Sequence, residues 1–186
     1  TAFIFSFRDW GEEQLDVSAG LGNLILLLLI TGFSFFFRLS CQKAYALSQG
    51  YQATFKIWWL GLGIAFVVAF LSVGRLPLVL LGTMHVAFLE RLRLGEFRYG
   101  FSYEQNGKIA FWGIAGNVIL AILFAVGLHI FPESYFFSKG VLLNLAMAFF
   151  ALLPVPQLDG LAIFFGSRVL YAIALGMVLL TGVLLL

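Results

Sequence analysis

The sequence predicts an all-α polytopic membrane protein of about five to six transmembrane helices with a short β-ribbon, and three observations lead there. Of its 186 residues 62% are hydrophobic and only 11% charged, where soluble domains run at about 45–50% apolar and 25% charged. The apolar residues come in long, nearly uncharged runs, each close to the roughly 20 residues needed to cross about 30 Å of hydrocarbon. Charges, prolines and glycines gather between those runs. The length accommodates one membrane-embedded domain over residues 1–186.

Taken in chain order, the opening TAFIFSFRDWGEEQLD carries Arg8, Asp9, Glu12, Glu13 and Asp16 beside Phe3, Phe5, Phe7 and Trp10. It is expected as an amphipathic lead-in lying on the membrane surface. It has no basic region ahead of its apolar residues and so does not read as a signal peptide. Residues 22–37, GNLILLLLITGFSFFF, hold no charge, and helical propensity continues through RLSCQKAYALSQG to Gly50, where glycine stops a helix. One long helix is expected over about 18–47. Arg38 and Lys43 fall at the end of its apolar run, a position from which long cationic side chains snorkel to the interface.

A second span is expected over about 56–72, IWWLGLGIAFVVAFL, with Trp58 and Trp59 placed as an interfacial belt and Gly74, Arg75 and Pro77 at the far end. Leu78 to Tyr103 mixes charge and apolar residues at nearly a period of two, punctuated by Gly95 and Gly100. That pattern predicts a short β-ribbon, with an amphipathic interfacial helix as the alternative. A third span follows over about 107–130, ended by Pro132, and its small residues Gly113, Ala115, Gly116 and Ala121 permit close approach of another helix. A fourth, about 138–153, breaks at PVPQLDG. Two prolines and an acid at membrane depth require protein or water around that backbone, because lipid cannot satisfy it. The remainder offers a half-span to Ser167 and Arg168, then a terminal apolar helix.

Composition excludes one function class. A formal net charge of +2, from 11 Lys+Arg and 9 Asp+Glu, makes no basic face or stripe, so no nucleic-acid partner is expected. The lone Cys41 reads as a small apolar helix residue. Lys and Arg fall on both predicted sides, Arg38, Lys43, Lys56 and Lys139 at one and Arg75, Arg91, Arg93, Arg98 and Lys108 at the other, so charge asymmetry assigns no orientation.

Four strings along the chain carry a family resemblance. ALLPVPQLDG, residues 151–160, resembles the LLPxPxLDG signature of the site-2 protease family, the intramembrane zinc metalloproteases, with Pro154, Pro156, Leu158 and Gly160 in their places. GKIAFWGIAGNVILA, residues 107–121, is similar to the family's GKIALAGPxxN segment, with Gly113 and Asn117 present and Ile114 where proline is usual. KAYALSQGYQATFKIWWLGL, residues 43–62, and IFFGSRVLYA, residues 163–172, are similar to archaeal members. The resemblance covers roughly residues 20–175. It implies a site-2-protease-like core, and for Asp159 the position of the third zinc ligand.

The departure from the family falls on its chemistry. Members carry HExxH, two histidines on one helix face binding zinc and a glutamate activating the zinc-bound water. Counting back from Lys43, that motif corresponds to Arg38, Leu39, Ser40, Cys41 and Gln42. Arginine does not surrender its proton to become a ligand, leucine is no base, and an amide is a poor zinc donor. His85 and His129 lie on different elements without a local spacing partner, and are assigned interfacial or packed roles. No catalytic residue, metal or cofactor is therefore expected, and Arg38, Leu39, Gln42 and Asp159 are read as degenerate active-site positions. Arg38 is expected to bridge to Asp159, a pair suited to bidentate geometry; snorkelling of Arg38, with Asp159 protonated or paired to Lys43, is the alternative.

Three functions are compatible with this pattern: an inactive homologue that binds other membrane segments, a structural subunit of a larger membrane complex, or an active intramembrane zinc metalloprotease with its residues elsewhere. In each the expected surroundings are the lipid bilayer and other membrane proteins, in the cell membrane of an archaeal-like prokaryote.

Overall fold

A computed structural model describes residues 1–6, 17–88 and 102–185. The chain is mostly helical, in the order α1 (Ala2–Ser6), α2 (Val17–Ser48), β1 (Tyr51–Ile57), α3 (Trp59–Leu71), β2 (Gly82–Phe88), α4 (Tyr103–Ile130), α5 (Tyr135–Ala151), α6 (Asp159–Gly166) and α7 (Arg168–Leu185). Three helices are long and apolar enough to cross a membrane: α2 from Gly20, α4 and α7. The expected five to six crossings are not reached by helix length. α3 with 13 residues and α5 with 17 are apolar but shorter than these three.

α4 is the central helix. Of its most apolar stretch 56% is buried, against 22% for α2 and 17% for α7. Small residues explain how it takes neighbours on several sides. Gly113, Ala115, Gly116 and Ala121 are all buried; a Cβ on Gly113 would meet the Gln42 side chain of α2, and one on Gly116 would lie 3.1 Å from the Cys41 sulfur. At the other end Gly127 accepts the Phe137 ring of α5, and Gly140 of α5 accepts the Phe124 ring of α4. α2 buries the stripe Leu27, Ile30, Ser34, Arg38, Gln42 and Ala46, steps of three and four that mark one helix face. Its other face exposes Leu21, Ile25, Leu28, Leu29, Phe33 and Phe36. So large an apolar periphery is costly in water and suits lipid or a partner.

Two elements differ from the sequence expectation. The second span was expected from about residue 56, but Tyr51–Ile57 is a strand, paired antiparallel with β2 in the register Tyr51 to Phe88 and Ile57 to Gly82. The ribbon expected within residues 78–103 therefore exists, but half of it comes from upstream of α3; residues 89–101 lie outside the described residues. Tyr51 and Ala53 face inward and Gln52 and Thr54 outward, the alternation of a half-buried strand. Gly82 closes the ribbon at φ 138, where a Cβ would collide with the Lys56 carbonyl.

The described part of the lead-in packs against the bundle. Ala2, Ile4 and Phe5 are buried: Ile4 packs with Ala65 and Ala69 of α3, and Phe5 joins the main cluster with Leu27, Ile30 and Phe124. Phe7, Arg8, Asp9, Trp10, Glu12, Glu13 and Asp16 lie outside the described residues. Trp59 is exposed, as an interfacial belt requires, whereas Trp58 is half-buried, its ring lying where a Cβ on Gly61 would stand.

Candidate functional site

The break between α5 and α6 sets one wall of the site. α5 ends at Ala151, prolines at 154 and 156 forbid a continuous helix, and the chain turns through Gln157 at φ 74. Gly160 then packs so closely that a Cβ would lie 2.1 Å from the Leu152 carbonyl oxygen. The backbone is satisfied by protein: the Val155 amide donates to Leu153, the Leu158 amide to Val155, and the Tyr171 hydroxyl of α7 to the Leu152 carbonyl at 3.1 Å. Pro154 and Pro156 stay exposed while Leu158, Asp159 and Gly160 are buried. Asp159 begins α6, where the positive end of the helix dipole favours a carboxylate.

Onto that carboxylate three side chains from two elements converge. Arg38 Nη2 of α2 donates to Asp159 Oδ2 at 2.6 Å. Gln42 Nε2, one turn further along α2, donates to the same oxygen at 2.8 Å and to the Ala110 carbonyl of α4 at 3.5 Å. Thr83 Oγ1 of β2 donates to Oδ1 at 2.7 Å. Arg38, Gln42 and Asp159 are 3%, 1% and 1% exposed, so this is an interior ion pair, not a surface contact. Each carboxylate oxygen has a donor, the condition for tolerating such a charge out of water.

The expected Arg38–Asp159 bridge is thus present, and Arg38 does not snorkel; Lys43 is exposed instead. The geometry departs from the fork-on-fork pairing that arginine favours. One guanidinium nitrogen holds the carboxylate, Gln42 takes the place beside it, and Arg38 Nε has no hydrogen-bond partner. Gly113 is required here because the Gln42 amide lies where a Cβ would stand. Asn117, one turn beyond, is fully buried with neither amide atom hydrogen-bonded. Leu39 points elsewhere, into the cluster of Ala46, Tyr51, Ala53, Met84 and Ile109. His85 and His129 are exposed, and Cys41 is half-buried.

Thr83 is the site residue that sequence reasoning missed. Its signal was the period-two pattern of GTMHVAF, but only the pairing of β2 with β1 brings it beneath Asp159.

Zinc does not fit this donor set. One carboxylate is the only strong metal donor; arginine and threonine donate hydrogen bonds here, and the glutamine nitrogen carries protons and no free lone pair. Among the described residues no three of His, Cys, Asp or Glu come together. What the arrangement can do is tie α2, β2 and α6 together through one buried charge.

No family model matches the chain, and no solved structure matches it. A protein of Methanocaldococcus jannaschii that bears the name "Putative zinc metalloprotease MJ0611" is 28% identical over 163 residues, which cover 86% of this chain and 74% of that relative. The alignment supports likeness to the site-2 protease family across most of the described fold.

Proposed function

We propose that this chain is a catalytically inactive, site-2-protease-like integral membrane protein, one membrane-embedded unit over residues 1–186, that works by binding other membrane proteins. Its role is that of a structural subunit or a binder of transmembrane segments, in the cell membrane of an archaeal-like prokaryote. One observation carries the reading: at the positions where the family resemblance puts zinc ligands, a guanidinium and an amide hold Asp159. The apolar helices and exposed apolar faces of α2 and α7 support a bilayer and membrane partners as its surroundings. Leu39, at the position of the family's general base, offers no proton acceptor.

The name of the archaeal relative favours a second reading, an active intramembrane zinc metalloprotease cleaving transmembrane substrates. Elemental analysis of the purified chain separates the two. The inactive reading expects no stoichiometric zinc and no cleavage of a transmembrane substrate; one zinc per chain that vanishes in Asp159→Ala establishes the enzyme. Isolation from native membranes then distinguishes the two binding roles. A stoichiometric, detergent-resistant complex indicates the subunit, and a monomer capturing diverse helices indicates the binder.

A further inference from the structure

Polar side chains form a second pattern that the ion pair does not absorb. Thr31, Ser34, Arg38 and Gln42 follow one another along α2 at steps of three, four and four, which places them on one face. Asn144 of α5 meets this face, donating to Ser34 Oγ at 2.9 Å and to the Gly140 carbonyl at 2.8 Å. Asn117 belongs to α4, which packs against this face one turn nearer the ion pair. Gly113 lies against Gln42, and Gly116 lies against Cys41 with Arg38 Cα 3.7 Å from its Cβ position, so α4 runs antiparallel to α2 and Asn117 stands level with Arg38.

Along this strip, buried polar atoms are left over. Thr31 Oγ1, Asn144 Oδ1, both amide atoms of Asn117 and Arg38 Nε form no hydrogen bond. Exchanging the oxygen and nitrogen of Asn117 does not help, because both atoms lack partners. Leaving such a group dry is costly, and buried polar groups in folded proteins are nearly always satisfied by protein or water. The levels of the strip are about 5.4 Å apart, one helical turn. A water molecule accepting or donating at about 2.8 Å on either side spans nearly that distance.

We propose that the face shared by α2, α4 and α5 is a hydrated seam, binding internal water between Thr31 and Arg38, with the Arg38–Asp159 pair at its inner end. Neutral water is the ligand this chemistry selects. The seam needs donors and acceptors together, which an ion of either sign does not supply, and the charge of Arg38 is already matched by Asp159. Water at Arg38 Nε also completes the solvation of the ion pair, which reduces the desolvation penalty of holding it inside the bundle. The inference stands whether or not the chain is an enzyme.

A structure of the full chain in phospholipid nanodiscs, at a resolution where ordered water is visible, tests it directly. The expected result is water density within hydrogen-bonding distance of Asn117 and Arg38 Nε, and of Thr31 and Asn144. A seam without such density, or side chains turned to bond one another directly, overturns the proposal. Asn117→Leu supplies an independent readout, because Asn117 makes no hydrogen bond to protein. In a hydrated seam leucine expels water and strips Arg38 Nε of its partner, so the melting temperature falls by several degrees. In a dry seam the substitution removes an unpaired amide and the melting temperature rises, which overturns the proposal even without the density.

Discussion

Removing either member of the Arg38–Asp159 pair should destabilise the chain, but unequally. Breaking a buried pair generally costs about 3–5 kcal/mol, because the remaining charge is stranded. For a chain of this size 1 kcal/mol corresponds to roughly 2–4 °C in melting temperature, so a single substitution should lower it by about 6–20 °C. Arg38→Leu belongs near the lower end. Asp159 retains the Gln42 amide and the Thr83 hydroxyl as donors. Asp159→Leu belongs near the upper end, since it strands the buried Arg38 guanidinium, whose Nε is already unpaired, without its carboxylate. The double variant replaces both charges with apolar volume and should recover much of the loss. Thermal unfolding in one detergent, followed by tryptophan fluorescence across wild type, both singles and the double, completes the cycle. If Arg38→Leu keeps full stability while Asp159→Leu loses it, or if the two losses simply add in the double variant, the pair is not the tie described above.

Two further substitutions probe the frame around the pair. Gly113→Ala pushes a methyl group into the Gln42 amide, which lies 2.3 Å from that position; overpacking of this kind costs about 1–3 kcal/mol, and melting should show it, with Gln42→Ala rescuing part of the loss in the double variant. Gln157 sits at φ 74 in the turn after Pro156, a region that costs a non-glycine residue about 1 kcal/mol or more. Its side chain is exposed, so Gln157→Gly should leave stability unchanged or raise it by a few degrees, and a fall would mean that the side chain is held in place.

Much of the frame was legible because its signals are local. The apolar run and Gly50 placed the long helix at 18–47, and it occupies Val17–Ser48. Pro154, Pro156 and the glycines of α4 likewise act where they stand. The strand Tyr51–Ile57 was lost because YQATFKI leads into the apolar run of α3, and the onset of that run was read as the start of a span. Its alternation of Tyr51, Ala53 and Phe55 against Gln52, Thr54 and Lys56 was available. The partner of β2, however, lies across α3, and strand pairing over such a separation is not written in either strand alone. Thr83 was missed for the same reason. Arg38, Gln42 and Asp159 were found through the order and spacing of family-like strings, and helix periodicity alone would have placed Arg38 and Gln42 on one face without naming what they face.

The surroundings of Asp159 bear on what kind of change separates this site from a metal centre. A buried carboxylate without a compensating charge is strongly unfavourable, so an aspartate at this depth must be matched by something. Here the match comes from α2, the helix that the family resemblance makes the source of the zinc ligands, and from the same i and i+4 positions. A cation fixed in the chain satisfies the carboxylate permanently, whereas a metal satisfies it only when bound. The coupling of α2 and β2 to α6 is carried by Arg38, Gln42 and Thr83 acting on one group. Such an arrangement ties the broken PVPQLDG segment to the long helix, as the inactive reading proposed above expects, whereas a catalytic zinc centre keeps an open ligand position.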